Sequence, residues 1–379
     1  MDTTTDLKFT ADRMALLAAA RQCALIAPSS SPVRELECVL LETDSAENRL
    51  ALSATDLEVA LRLTLPIRSS TDGKFSLAIN AKFFTAMLEK LGGADVDIAL
   101  KPGAQLELKS GAAFYRVPAL SGERYPSIEL PLPEARTEVC GLPELIRHTA
   151  FAVSETSAMP LLKCVNLRFT PDGLKAVGSD GLCIAEAAGD IRCTGSVSFL
   201  VAASSLSKLS KLCCNEDTLS VGTAGKSLVF LKDGFEFSAR LMEGRYADTD
   251  RIIRQLSPSF TVLLDSAELR RALLSATAIS SDGATVLCFD GDKIEIHSGC
   301  KGGSASALVE VVQLTGRASG EYSYSTRRLM RSLRALTGSL TLGLAQHGML
   351  TVSSDNVLYL QSALSARTSE KKTLHQKAA

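Results

Sequence analysis

Tryptophan is absent from the 379 residues, and aromatic residues make up only 5% of them. That scarcity argues against a ring-lined carbohydrate cleft and against a platform on which unpaired bases stack. Charge of one sign is also lacking. The net charge is -1, so any nucleic-acid surface would have to gather its basic groups on one face. The opening residues MDTTTDLKFT hold neither a basic start nor an apolar run, and no apolar stretch is long enough to cross a bilayer. No signal peptide and no membrane span are therefore expected. The cysteines (Cys23, Cys38, Cys140, Cys164, Cys183, Cys193, Cys213, Cys214, Cys288 and Cys300) form no C-x-x-C pair. Most lie in apolar strand or helix patterns, where a free thiol behaves as a small hydrophobe, which fits a reducing cytoplasm. His148, His297, His347 and His375 are scattered rather than paired at ligand spacing, so neither a metal nor a cofactor is expected.

Catalytic motifs are missing too. Gly222-Thr-Ala-Gly-Lys226-Ser227 looks like part of a phosphate loop, but position 220 is serine where the full motif needs glycine. The residues after it, Leu228–Leu231 and Phe235–Phe237, read as strands around an Asp-Gly turn, so a hairpin accounts for them better than a nucleotide site using Lys226. No G-x-S-x-G elbow presents a nucleophile. The carboxylate pairs Glu35/Glu37 and Asp95/Asp97 alternate along loop or strand segments and read as solvent-facing.

What the chain does have is a repeat. Asp12 can cap a helix to about Ile26, with Ala15, Leu16, Ala19 and Cys23 on one face. Strands follow near 37–42, 50–53, 57–66 and 75–79. Asn80 then caps a second helix to Leu91, and three more strands close the segment. The same order returns with helices Leu142–Val153 and Ala203–Leu212. It returns again with a helix from Asp265 to Ile279, one predicted strand over 304–314, and a helix from Thr326 to Leu336. KFSLAINAKFFTAMLEKL, SVSFLVAASSLSKLSKL and EYSYSTRRLMRSLRAL align strand into helix, and ALSGERYPSIEL parallels LMEGRYADTDRII. A period of roughly 120 residues is too long for a solenoid and fits three copies of one two-helix, antiparallel-sheet domain. The expected class is α+β. The expected divisions are 1–130, 131–255 and 256–364, with a polar tail over 365–379.

The predicted helices share a charge bias. The first helix of each repeat carries Arg13 and Arg21, then Arg147, then Arg270 and Arg271. The second carries Lys82 and Lys90, then Lys208 and Lys211, then Arg327, Arg328, Arg331 and Arg334. Acidic residues there sit mostly in first turns, where the helix dipole favours them. If these helices line one surface, it attracts a phosphate backbone without reading bases.

LSATDLEVAL (52–61), YRVPALSGERYPSIE (115–129), MPLLKCVNLRF (159–169), AVGSDGLCIAEA (176–187) and FSARLMEGRYADTDRII (237–253) together resemble the bacterial DNA polymerase III beta subunit, the sliding-clamp family. The resemblance runs from Leu7 to about Ala363, and in the last third it rests on element order more than on motif. It implies the DNA clamp fold: three similar domains per chain, and two chains joined head to tail in a closed ring with helices lining the pore. It implies no chemistry. The ring would encircle double-stranded DNA independently of sequence, as a cytoplasmic homodimer. It would tether the catalytic subunit of DNA polymerase III, the clamp loader and other proteins that carry a clamp-binding motif.

The resemblance also assigns a partner-peptide pocket. Leu162, Ser179, Gly181 and Ile184 match the family's positions, while Leu182 and Cys183 stand where it has His-Arg. Arg251 and Ile252 match, Ala247 replaces a proline, and Ser362 falls where the family's closing Met-Pro-x-Arg begins. Exchanging a deformable methionine for a hydroxyl should weaken or redirect docking of an apolar anchor. Tyr115 and Ile279 fall at the family's apolar dimer contacts, where a place in the chain's own core is the equal alternative. The altered pocket keeps a second reading open, a divergent clamp-fold paralogue acting as an interaction scaffold.

Overall fold

The computed structural model describes residues 7–44, 46–69, 76–101, 103–128, 130–189, 191, 195–278, 283–300 and 302–364. They include seven α-helices: α1 Arg13–Ile26, α2 Ala81–Lys90, α3 Leu142–Thr149, α4 Ala203–Leu212, α5 Thr249–Arg254, α6 Ser266–Ala276 and α7 Thr326–Ala335. Every strand pairing among the described residues is antiparallel. The chain packs as two compact units, one of Met1–Pro143 with Ser204–Leu241 and one of Glu144–Ala203 with Met242–Ala379.

The first unit contains a five-stranded and a nine-stranded sheet. Helix α1 starts where predicted, because the Asp12 carboxylate accepts the Ala15 N–H at 2.7 Å. It buries Leu16, Ala19, Ala20 and Cys23 along one stripe, and Asn80 caps α2 in the same way through the Phe83 N–H. The nine-stranded sheet does not stop at the end of the first third. Val59–Pro66 pairs with Phe235–Arg240, so strands from the first and middle thirds form one continuous ladder. The second unit repeats the device. Cys183–Gly189 pairs with Val357–Gln361 inside its own nine-stranded sheet, and a four-stranded sheet completes it.

A repeated detail underlies both large sheets. The 3-10 turns Arg34–Glu37 and Pro160–Lys163 each lead into a strand, Cys38–Asp44 and Cys164–Thr170. Each strand's cysteine thiol reaches back to the carbonyl four residues earlier, Arg34 or Pro160. The Tyr125 hydroxyl donates to the Cys38 carbonyl and the Tyr246 hydroxyl lies against that of Cys164. Burial pushes both phenols well above their ordinary range.

Some predicted elements differ. The strand expected over 304–314 breaks into Gly303–Glu310 and Gln313–Gly316, which belong to different sheets. The break comes at Val311 and Val312, whose N–H groups donate to the Asp292 and Leu263 carbonyls. Helix α6 closes at Ala276, with the Thr277 backbone N–H and hydroxyl both donating to the Leu273 carbonyl, and the predicted end at Ile279 lies outside the described residues. Helix α3 gives way to a 3-10 turn over Ala150–Ala152. Strand Phe260–Asp265 and helix α5 were not anticipated. Gly222–Ser227 forms the hairpin expected: Ala224 pairs with Ser227 across a turn in which Gly225 has φ 58°.

Candidate functional site

An apolar cavity of about 400 Å³ opens within the second unit. Met159, Leu161 and Leu162 line it at and just before a 3-10 segment, together with residues of the turn Ser179–Ile184. Arg245, Tyr246, Ala247, Thr249 and Ile252 line it as well, as do Met349, Leu360 and Ser362. Every residue assigned to the pocket from the sequence lines it except Arg251. That side chain is exposed on α5, and its backbone N–H donates to Asp248.

The walls are held by polar bonds below the apolar surface. The Ser179 hydroxyl donates to the Cys183 carbonyl at 2.7 Å and accepts the Gly181 N–H. The Asp180 carboxylate accepts the backbone N–H groups of Leu182 and Cys183, both at 2.9 Å, and Arg328 Nε from α7 at 2.7 Å. Burial works to raise the Asp180 carboxyl, but the Leu182 N–H, Arg328 and the Cys183 thiol outweigh it and hold the group below its ordinary range. Burial and the adjacent carboxylate push the Cys183 thiol up to about 12, so it stays protonated. Helix α5 is pinned because Arg168 bridges Asp250 and Glu186. Ser362, expected to cost the pocket its methionine, lies 4.0 Å from the sulfur of Met349 on the neighbouring strand.

Residues the sequence reading did not assign to the pocket include Met159, Leu161, Tyr246, Met349 and Leu360. A signal existed for Tyr246, in the Arg-Tyr shared by GERYPS and GRYADT. Met349 carried none, because only the pairing of Cys183–Gly189 with Val357–Gln361 brings its strand there.

The predicted cations divide into two groups. Lys82, Lys90, Arg147, Lys211, Arg271 and Arg334 are exposed. Arg21 pairs with Glu89 at the surface, and Arg327 and Arg331 both pair with Glu155. Others serve the fold: Arg13 Nε donates to the Gly93 carbonyl, Lys208 is bonded to Asp56, and Arg328 is bonded to Asp180. Arg270 Nε is buried with no hydrogen-bond partner among the described residues. Arg13, Lys208 and Arg328 are each half-buried against an acceptor of their own unit.

Among the described residues, Ala113–Pro118 is one terminal strand of the five-stranded sheet of the first unit, and Gly303–Glu310 is one terminal strand of the four-stranded sheet of the second. Tyr115 lies half-buried on the first of these strands with Phe114 beside it, 52% exposed, and the second exposes Leu308. Ile279 lies outside the described residues. Among the described residues no cluster of three metal-ligating side chains occurs, and no helix is long and apolar enough to cross a membrane.

Residues 7–129 match the DNA polymerase III beta subunit, N-terminal domain, and residues 138–248 match the central domain of the same subunit. The chain belongs to the DNA polymerase III beta subunit family. It is 23% identical over 312 residues to the beta sliding clamp of Staphylococcus aureus, covering 78% of this chain and 82% of that one. It is 25% identical over 283 residues to the beta sliding clamp of Bacillus subtilis, covering 70% and 72%. In fold it matches the solved Bacillus subtilis sliding clamp with a TM-score of 0.85 at 19% identity, over 96% of this chain and 100% of that one. The beta chain of Streptococcus pneumoniae DNA polymerase III gives 0.86 at 19% identity, over 95% and 100%.

Proposed function

We propose that this chain is a DNA sliding clamp, a non-catalytic cytoplasmic subunit that gives a replicative polymerase its processivity. Three clamp domains, 1–130, 131–255 and 256–364, make up each chain. Two chains close a ring by adding edge Ala113–Pro118 of one to edge Gly303–Glu310 of the other, with Tyr115 and Ile279 at the seam. The exposed helix cations face duplex DNA through sequence-independent phosphate contacts. DNA polymerase III, the clamp loader and other partners dock short peptides in the apolar cavity.

The observation that carries this reading is the cavity. Residues scattered from Leu162 to Ser362 converge on one peptide-sized apolar recess, in a chain of the clamp family. The two terminal strands support the ring, because unpaired backbone N–H and C=O groups at a sheet edge are templates for pairing with another chain. Light scattering over a dilution series tests it. A persistent species at twice the 40.2 kDa chain mass is expected. A monomer at every concentration would leave a chain unable to enclose DNA alone.

A further inference from the structure

We propose that Glu155 is a built-in stand-in for a DNA backbone phosphate, which holds Arg327 and Arg331 until duplex displaces it. The inference rests on the sliding-clamp reading and adds a control on the strength of its grip. Arg327 and Arg331 lie one turn apart on α7, and the two Glu155 oxygens divide between them. One oxygen meets Arg331 at 2.6 Å and the other meets Arg327 at 3.2 Å. Two acceptor oxygens on two guanidinium groups is also how a phosphodiester, with its two unbridged oxygens, would engage the pair. Glu155 belongs to no helix. Its segment is fixed on either side, because the Ser154 N–H donates to the Leu162 carbonyl at 2.7 Å and the Ser154 hydroxyl accepts the Ser157 N–H at 3.0 Å.

The surroundings favour an anion of greater reach than one carboxylate. A cleft of about 500 Å³ beside the pair is lined by Arg147, Arg331 and Arg334, with Glu155 and His148. Arg147, Arg331 and Arg334 thus share the cleft with the Glu155 carboxylate. His148 adds no charge near neutral pH, because burial lowers its pKa from an ordinary 6.5. Glu155 is 61% exposed and Arg327 63%, so their pair is open to competition from solvent and salt, while Arg331, 28% exposed, is the more sheltered partner. A carboxylate held there lowers the affinity of a surface that must bind DNA yet slide along it.

Anisotropy of a short fluorescent duplex at low salt, with the full-length protein, tests the proposal. E155Q should bind about threefold to tenfold more tightly than the wild type, the range for releasing two ion pairs made by one exposed carboxylate. On an R327Q/R331Q background the same substitution should bring no gain, because no latch remains to release. Unchanged or weaker binding by E155Q overturns the proposal, as does an equal gain on that background, which would reduce the effect to net charge. Inorganic phosphate as competitor should not erase the gain at millimolar concentration; if it does, the duplex is not the occupant. If wild type and E155Q are both folded and neither binds duplex, the sliding-clamp reading itself fails, a distinct result.

Discussion

Replacing Arg328 by methionine keeps the aliphatic stem and removes the guanidinium that reaches Asp180. Asp180 is only 13% exposed and Arg328 28%. Stranding one member of a fully buried pair costs about 3–5 kcal/mol. Partial exposure of the arginine lowers that figure, and so do the two backbone donors Asp180 keeps at Leu182 and Cys183, leaving about 1–2 kcal/mol. Global unfolding of a multi-unit chain need not be two-state, so amide exchange at Leu182 and Cys183 is the direct assay. R328M should speed exchange there about fivefold to thirtyfold, equivalent to that free energy. D180N should do the same, and the two together should be far from additive. The Asp180 carboxyl is held below its ordinary 3.8, so the folded state binds fewer protons than the unfolded chain near that pH. Its contribution is fully present above about pH 4 and fades as pH falls through the folded value. The same variant settles which ligand Arg328 serves. The salt dependence of duplex binding should keep its slope in R328M, whereas R334Q at an exposed position should flatten it by about 0.9. Additivity of R328M and D180N within about 0.3–0.5 kcal/mol, or a flattened slope for R328M, would refute the reasoning.

Leu162→Asp places a charge in the cavity wall and should weaken binding of a clamp-binding peptide by about 1.5–3 kcal/mol, or more than tenfold, read by fluorescence polarisation. Tyr246→Phe removes a hydroxyl lying 3.4 Å from the Cys164 and Val177 carbonyls and should cost about 1 kcal/mol by urea unfolding of the second unit's transition. Leu308→Lys, on an exposed edge position, should leave the fold intact by circular dichroism and shift the solution mass toward the single chain of 40.2 kDa.

Much of the fold was legible because it is written in local signals. Asp12, Asn80 and Asp265 cap helices with side chains that need only the next turn of backbone. The Gly225-Lys226 hairpin follows from turn chemistry alone. The break at Val311 and Val312 is different in kind. An apolar run reads as one strand, and only the competing claims of two sheets divide it. The packing units were hidden for the same reason. Periodicity marks where one repeat ends, whereas the ladders Val59–Pro66 with Phe235–Arg240 and Cys183–Gly189 with Val357–Gln361 join one repeat to another. Cation roles were the least legible. Arg327, Arg328 and Arg331 read alike on a helix, yet Glu155 takes two of them and Asp180 the third, and both carboxylates lie more than 140 residues away in sequence.

In the cavity, a position that differs from the family pattern sits beside a methionine of the neighbouring strand. Position 362 holds a hydroxyl where the family pattern suggests methionine. The antiparallel register pairs Leu350 with Gln361, which sets Met349 next to Ser362 across the ladder. A flexible thioether therefore lines the recess beside Ser362. At the rim the change runs one way. Leu182 is exposed and Cys183 is buried and un-ionised, where the family pattern has two side chains that can donate hydrogen bonds. A recess with an apolar lining and a less polar rim should retain affinity for aliphatic and aromatic anchors. It should lose discrimination at the peptide positions that would have met polar partners, because no unsatisfied donor is left there to penalise an apolar residue.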